Sequence, residues 1–414
     1  MLKIFGAVLA LASIAAPVFA VEPDGLILPP GFHASVVADG LGPIRHMAIR
    51  QNGDIYISTR HGRDAASTGI LALRLGQNHK AVQTEHFSNV DQGTGIRIYK
   101  GALYAASGTG VYRFSLDNDA LVPAAPPELI VDGLSVTNHA VAFDGKGALF
   151  VSLDGGGNIC ADSKAPKDAK PVGLKPCSNL ETKGGVWRFD ATKSGQKLGD
   201  GEHYATGIRN MSALDWRNGD ALYGAMHGRD GTSKTWPELV SDADDDAIGD
   251  EMFRITKSTD MGWPYTYYDG ARKLRLVAPE YGGDGKTPPS DGQYATPAAV
   301  FQPKRPAVLD LAFYNGRQFP ASYRGGAFLA MHGGADGGEL PAGQAGYNVM
   351  FVPFHGNRAG TPTVFADGFA GPSASSKNAK NAAYRPVGVA VGPDGALYVA
   401  DSNKGRVWRI SYGE

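Results

Sequence analysis

Cysteine is scarce in this chain: two residues, Cys160 and Cys177, in 414. Neither lies in a CxxC or CxxCH sequence, so thioredoxin-type chemistry and covalent haem have no anchor here. HExxH, a Walker loop and a nucleophile elbow are missing as well. The short glycine clusters, Gly155-Gly156-Gly157 and Gly333-Gly334, lack the spacing of a dinucleotide site. Charge is balanced, 40 Lys and Arg against 41 Asp and Glu, which removes any general attraction to nucleic acid or an anionic membrane. Charged function must therefore be local. Beyond the N-terminus no apolar run approaches the roughly 18–20 residues that cross a bilayer.

The N-terminus itself reads as a secretory leader. Lys3 precedes an apolar run from Ile4 to Ala16, and Val18-Phe19-Ala20 supplies the −3 and −1 positions, so residues 1–20 are expected to be cleaved before Val21. The mature protein would then be periplasmic or secreted. In such an oxidising compartment Cys160 and Cys177 are expected to form a loop-closing disulfide. Their Lys/Pro/Gly-rich stretch has no histidine beside them to suggest a metal pair.

What the chain does have is glycine, 56 residues, together with 17 tyrosines, a balance suited to many short strands joined by turns. Self-comparison resolves it into repeats. Met47 to Ser58 alternates apolar residues, turns at Asn52-Gly53, and alternates again. Gly388 to Ala400 repeats this with Pro393-Asp394-Gly395 as the turn, and Ala140 to Ser152 is a third copy. Looser copies run from Gly95 to Ser107, Ala213 to Met226 and Leu309 to Met331. The Asn-Gly and Asp-Gly pairs offer the positive φ that tight hairpins need. Each copy is followed by a further strand: Ile70 to Leu75, Val111 to Ser115, Gly185 to Phe189, Glu251 to Ile255, Tyr347 to Val352 and Arg406 to Ile410.

Six such copies predict an all-β, six-bladed β-propeller with four-stranded blades, in one domain over residues 24–414. Phe32 to Ala38 is expected to join the last blade and close the ring. Long stretches before Ala213 and before Leu309 are expected to be loops gathered on one face.

Polar residues recur where blade strands begin, and these positions are expected to face the top of the central channel. They include Arg45, Asn138-His139, Arg209-Asn210 and Arg385, with His227-Gly228-Arg229-Asp230 expected at the end of the innermost strand of the fourth blade. Several Arg and a His converging on one cavity suit a polyanionic ligand, because a guanidinium forks a carboxylate. Taken singly, such an Arg more often pairs with a neighbouring acid, and a lone His is more often a structural residue, than either binds a ligand. The acidic run Asp242 to Asp246 lacks EF-hand spacing and reads as a solvated loop.

Across nearly the whole mature length the chain resembles the soluble PQQ-dependent sugar dehydrogenases, in particular the sorbosone and pyranose dehydrogenase branch related to soluble quinoprotein glucose dehydrogenase. The resemblance rests on Leu28-Pro-Pro-Gly-Phe32, Asn138-His139, Gly207-Ile-Arg-Asn210, Met261-Gly-Trp-Pro264, Gly346-Tyr347 with Phe351-Val-Pro-Phe354, and Arg385-Pro-Val-Gly388. It implies pyrroloquinoline quinone (PQQ) and Ca2+ at the top of the channel. His139 would be the general base, which must be neutral to act, and Arg209 would lie beside the quinone carbonyls. Asn210, Arg385 and Arg45 would be cofactor contacts, Asn138 would touch the sugar, and Gly228 and Arg229 would offer backbone carbonyls to calcium. A separate electron acceptor, a soluble cytochrome or quinone, is implied as partner.

One departure stands out. Relatives carry a basic residue soon after the fifth-blade His-Gly, whereas here no Lys or Arg separates His332-Gly333 from Arg358, and Asn348 stands where a Lys is frequent. Arg45 or Arg60 could compensate. Two other readings stay open: a non-catalytic propeller binding carbohydrate or protein, and a calcium-dependent lactonase with Glu, Asn and Asp on the metal.

Overall fold

The computed structural model describes residues 20–413 except 23, 61–68, 89, 91–92, 117–118, 135–138, 162–169, 304–305 and 335–344. The expected leader up to residue 19, and Asn138, lie outside the described residues. Six sheets of four or five strands form the blades of a propeller. The first blade pairs Ile44–Ile49, Ile55–Thr59, Ile70–Leu75 and Ala81–Phe87 in antiparallel order. The other inner strands are Ile96–Tyr99, Val141–Phe143, Ala213–Trp216, Val308–Phe313 and Pro386–Val391, and each packs beside the next to complete a ring.

Closure is as the repeats imply. Phe32–Ala38 pairs antiparallel with Val407–Tyr412, so the last blade is built from both ends of the chain. Blades two and three gain a short fifth strand, Gln196–Lys197 and Thr259–Asp260, each added in parallel. Hairpin turns use left-handed backbone at Gly53 (φ 91°) and Gly395 (φ 81°), where a side chain would be strained.

The core lies between blades. Strand residues alternate sides, and both sides are buried. In Ala148–Leu153, Leu149 and Val151 pack with Tyr104 and Ile130 of blade two, while Ala148 and Phe150 pack with Leu214 and Phe253 of blade four. Every neighbouring pair of blades shares such a cluster, the largest centred on Phe328, Phe365 and Trp408. Near-continuous apolar strands are the outcome.

Polar groups fill the axis itself. Arg97, from the second inner strand, reaches across to Asp310 (Nη2 to Oδ1, 2.9 Å) and donates to the Leu214 and Leu311 carbonyls. Asp215 and Asp310 in turn accept the backbone N–H groups of Phe313 and Val389. One carboxylate from each of blades four and five is thus tied to the next inner strand, and Arg97 bridges the channel between its two mouths.

The insertions differ from simple loops in detail. Asp242–Asp246 is a short helix capped by Ser241 rather than a loop, because Asp245 is buried and accepts from Thr232 N–H and Ser233 Oγ. A hairpin, Thr266–Asp269 with Leu274–Val277, stands on the fourth blade. Cys160 and Cys177 form the expected disulfide, with 5.8 Å between Cα atoms, and pack on Trp263. Among the described residues no helix is long and apolar enough to cross a membrane.

Candidate functional site: the basic axial cavity

A cavity of about 320 Å³ opens at the end of the channel where the inner strands begin. That volume falls at the lower end of small-molecule sites, about 300–1,000 Å³. Arg45, Arg209 and Asn210 line it as expected, with Arg60, His227 and His332 beside them. His227 follows the second strand of its blade (Leu222–Met226), not the innermost one as expected, because the innermost strand is Ala213–Trp216. His332 follows the second strand of blade five in the same way. The tetrapeptide Ala-Met-His-Gly occurs at both places, residues 225–228 and 330–333, and that repetition was the legible signal for His332.

Charge in the cavity is unevenly compensated. Burial, then the like charges of Arg60 and Arg385, push the Arg45 guanidinium down to about 10, and no acid offsets them among the described residues. His332 donates to or accepts from Ser402 Oγ at 2.8 Å. Burial, with the charges of Arg385 and Arg45, holds it well below the ordinary histidine range, so it is neutral near pH 7. Arg385 stands one layer back. Its Nη2 donates to the Gly333 and Gly334 carbonyls (2.7 and 2.8 Å), its Nε to that of His332, and the Tyr347 ring lies 5.5 Å away. It shapes the wall rather than presenting its fork to the opening.

Arg209 is held at one edge. Its Nη1 donates to the Gly228 carbonyl (2.8 Å) and its Nη2 to Asp230 Oδ2 (2.5 Å), while its buried Nε has no partner. Next to it, Asn210 donates through Nδ2 to Asp154 (2.6 Å) and leaves a buried Oδ1 without a partner. Buried polar atoms are rarely left unsatisfied. An unpaired donor and an unpaired acceptor on adjacent residues of a cavity wall suit a polar ligand.

Gly228 lines the opening as well, whereas His139 and the Arg229 side chain do not. His139 is fully buried behind the wall; its backbone carbonyl accepts from Gly95 N–H, next to the lining residue Thr94. Its Nδ1 lies 3.2 Å from the Ser152 carbonyl, which can only accept, so Nδ1 is the donor in that contact. Arg229 points away from the cavity. Its Nη2 donates to both carboxylate oxygens of Glu280 (2.6 and 2.7 Å), and Trp236 Nε1 adds a third bond to that carboxylate. The described residues hold no group of three or more His, Cys, Asp or Glu side chains able to bind a metal, as the lactonase reading would need.

A six-bladed propeller with an arginine-rich pocket on its axis is thus the class that fold and site define. The sequence profile of the TrAA12-like family matches residues 26–267 and 287–413, and the chain belongs to that family. No curated protein matches it in sequence. Among solved structures it is similar to the calcium structure of a Trichoderma reesei member of Carbohydrate-Active Enzymes Family AA12, at 14% identity, TM-score 0.72, covering 96% of this chain and 99% of that one. It is similar also to the holo pyranose dehydrogenase PQQ domain from Coprinopsis cinerea (15%, TM-score 0.68, 94% and 98%). A third is the PQQ-bound aldose sugar dehydrogenase from Streptomyces coelicolor (16%, TM-score 0.56, 93% and 99%). At such identities the likeness establishes a shared fold.

Proposed function

We propose that this chain is an exported quinoprotein dehydrogenase, oxidising an aldose or related sugar at its anomeric or aldehyde carbon, with PQQ in the axial cavity. The observation that carries the reading is the convergence of Arg45, Arg60 and Arg209 on one cavity, with no acid offsetting Arg45 among the described residues, which an anion of several carboxylates would neutralise. Family membership and the names of the similar structures point the same way.

The residues fit such a cofactor. Arg45 and Arg60 would take carboxylates, and Arg209 Nε and Asn210 Oδ1 would gain the partners they lack. Those two arginines also answer the missing fifth-blade cation, since both line the cavity while Asn348 is buried in its strand with Oδ1 unpaired. When bound, the quinone would accept the hydride from the sugar carbon. His139, with Nδ1 anchored on Ser152 and its ring fully buried, would take the hydroxyl proton at Nε2 once the wall covering it opens to the sugar, and Asn138, the preceding residue in sequence, would orient that sugar. Electrons would leave to a separate soluble cytochrome or quinone.

Calcium fits less well. The Gly228 carbonyl is engaged by Arg209, and a cation at Gly228 and Arg229 would have to displace that guanidinium while collecting six to eight oxygens. The test is a titration of the protein with PQQ, with calcium and with a chelator, reading the absorbance of bound quinone and dye reduction over an aldose panel. Absence of binding at high quinone concentration would leave the non-catalytic binding module as the better reading.

A further inference from the structure

Arg209 needs an external brace. Its partner Asp230 has a half-exposed side chain, and an ion pair of that kind contributes little by itself. What fixes Asp230 is its backbone. Asn158 Nδ2 donates to the Asp230 carbonyl (2.6 Å), and Asp230 N–H donates back to Asn158 Oδ1 (3.1 Å). One amide side chain thereby satisfies both main-chain groups of Asp230, as a neighbouring strand would.

The segment bearing Asn158 is itself pinned. Gly155 and Gly156 N–H donate to the Arg209 carbonyl (3.0 and 3.2 Å), Trp263 Nε1 donates to the Gly157 carbonyl (2.9 Å), and Cys160 closes the disulfide. Tyr281 and Tyr265 hydroxyls accept the N–H groups of Cys160 and Cys177. Residues 155–160 therefore grip the Arg209 main chain at one end and, through Asn158, its carboxylate partner at the other. We propose that Asn158, braced by the Cys160–Cys177 disulfide, is a positioning residue of the axial site: it fixes Asp230, and through it the direction of the Arg209 guanidinium. The inference rests on the reading of this cavity as the ligand site, and it makes ligand affinity dependent on the disulfide.

The test compares wild type, Asn158→Ala, Asp230→Ala and the double variant. Backbone hydrogen exchange needs no ligand: in Asn158→Ala the amides of residues 228–231 should exchange faster, while those of Pro386–Val391 stay unchanged. Reduction of the wild-type disulfide under native conditions should reproduce that local change. With PQQ as probe, Asn158→Ala should weaken binding about 3- to 10-fold, on the order of one net hydrogen bond. Adding it to Asp230→Ala should weaken binding no further, because both act through one contact. A purely structural role would lower the melting temperature and give additive losses. Unchanged exchange at 228–231, or additive effects on affinity, overturns the proposal. If wild type fails to bind PQQ, the quinone reading falls, and the exchange measurement still decides the role of Asn158.

Discussion

Removing the Arg45 charge should stabilise the ligand-free protein. A guanidinium brought down from its ordinary value to about 10 carries a penalty on the order of 3 kcal/mol, at about 1.36 kcal/mol per pKa unit. Near pH 7 Arg45 is charged whether the chain is folded or not, so the folded protein bears the whole of it. Relief comes only as pH rises through about 10, where the folded-state group gives up its proton first. Arg45→Met keeps most of the apolar stem and removes the charge. With about 2.1 cal/mol/K of unfolding entropy per residue, a chain of this length changes by roughly 0.8 kcal/mol per degree, so the gain in Tm is at most about 4 °C. Water reaching the partly exposed side chain trims that figure. The same variant should show a smaller Tm rise on adding PQQ than wild type does, because the compensating charge is gone. Differential scanning calorimetry at pH 7, with and without quinone, reads both effects. A ligand-free Arg45→Met protein melting at or below the wild-type temperature would refute the idea that this cavity stores uncompensated charge.

Other outcomes follow from the same geometry. His139→Ala should retain quinone binding and lose about 10²- to 10⁴-fold in turnover, the usual worth of a general base, in a dye-reduction assay. Burial raises the Asp215 carboxyl to about 6, partly opposed by Arg97. Above that pH the carboxylate is ionised in both states and the folded protein is penalised; as pH falls from 6 towards 4 the folded form takes up the proton first and stability is regained. Denaturant titrations from pH 4 to 8 should show this component in wild type and not in Asp215→Asn. Glu280→Ala leaves Arg229 buried without its carboxylate, and should cost about 3–5 kcal/mol, seen as a lowered denaturation midpoint.

Legibility differed from one residue to the next. The blades could be read because the repeated strands alternate apolar residues and the turns at Asn52-Gly53 and Asp394-Gly395 need positive φ, both local properties of the chain. Arg45, Arg209 and Asn210 were visible for a related reason: residues at or just ahead of the start of inner strands must sit at one mouth of the channel. His332 carried a signal too, in its repeated Ala-Met-His-Gly, yet only the cavity gave it meaning. Arg229 was read for its backbone carbonyl, and nothing in the sequence placed its side chain. Its neighbours suggest the cavity, but Glu280 arrives from an insertion 51 residues later and draws the side chain away.

Period-two patterning and turn chemistry thus determined the ring of six blades, and with it which strand ends would gather at the axis. Tertiary structure alone decided how the charges there are shared. Arg97 crosses the channel to Asp310, 213 residues away; Asn158 completes Asp230; Arg385 turns to the carbonyls of residues 332–334, and no acid offsets Arg45 among the described residues. Pattern along a chain sets the side a residue faces. The distance and sign of whatever it meets across the axis are set only when the ring closes.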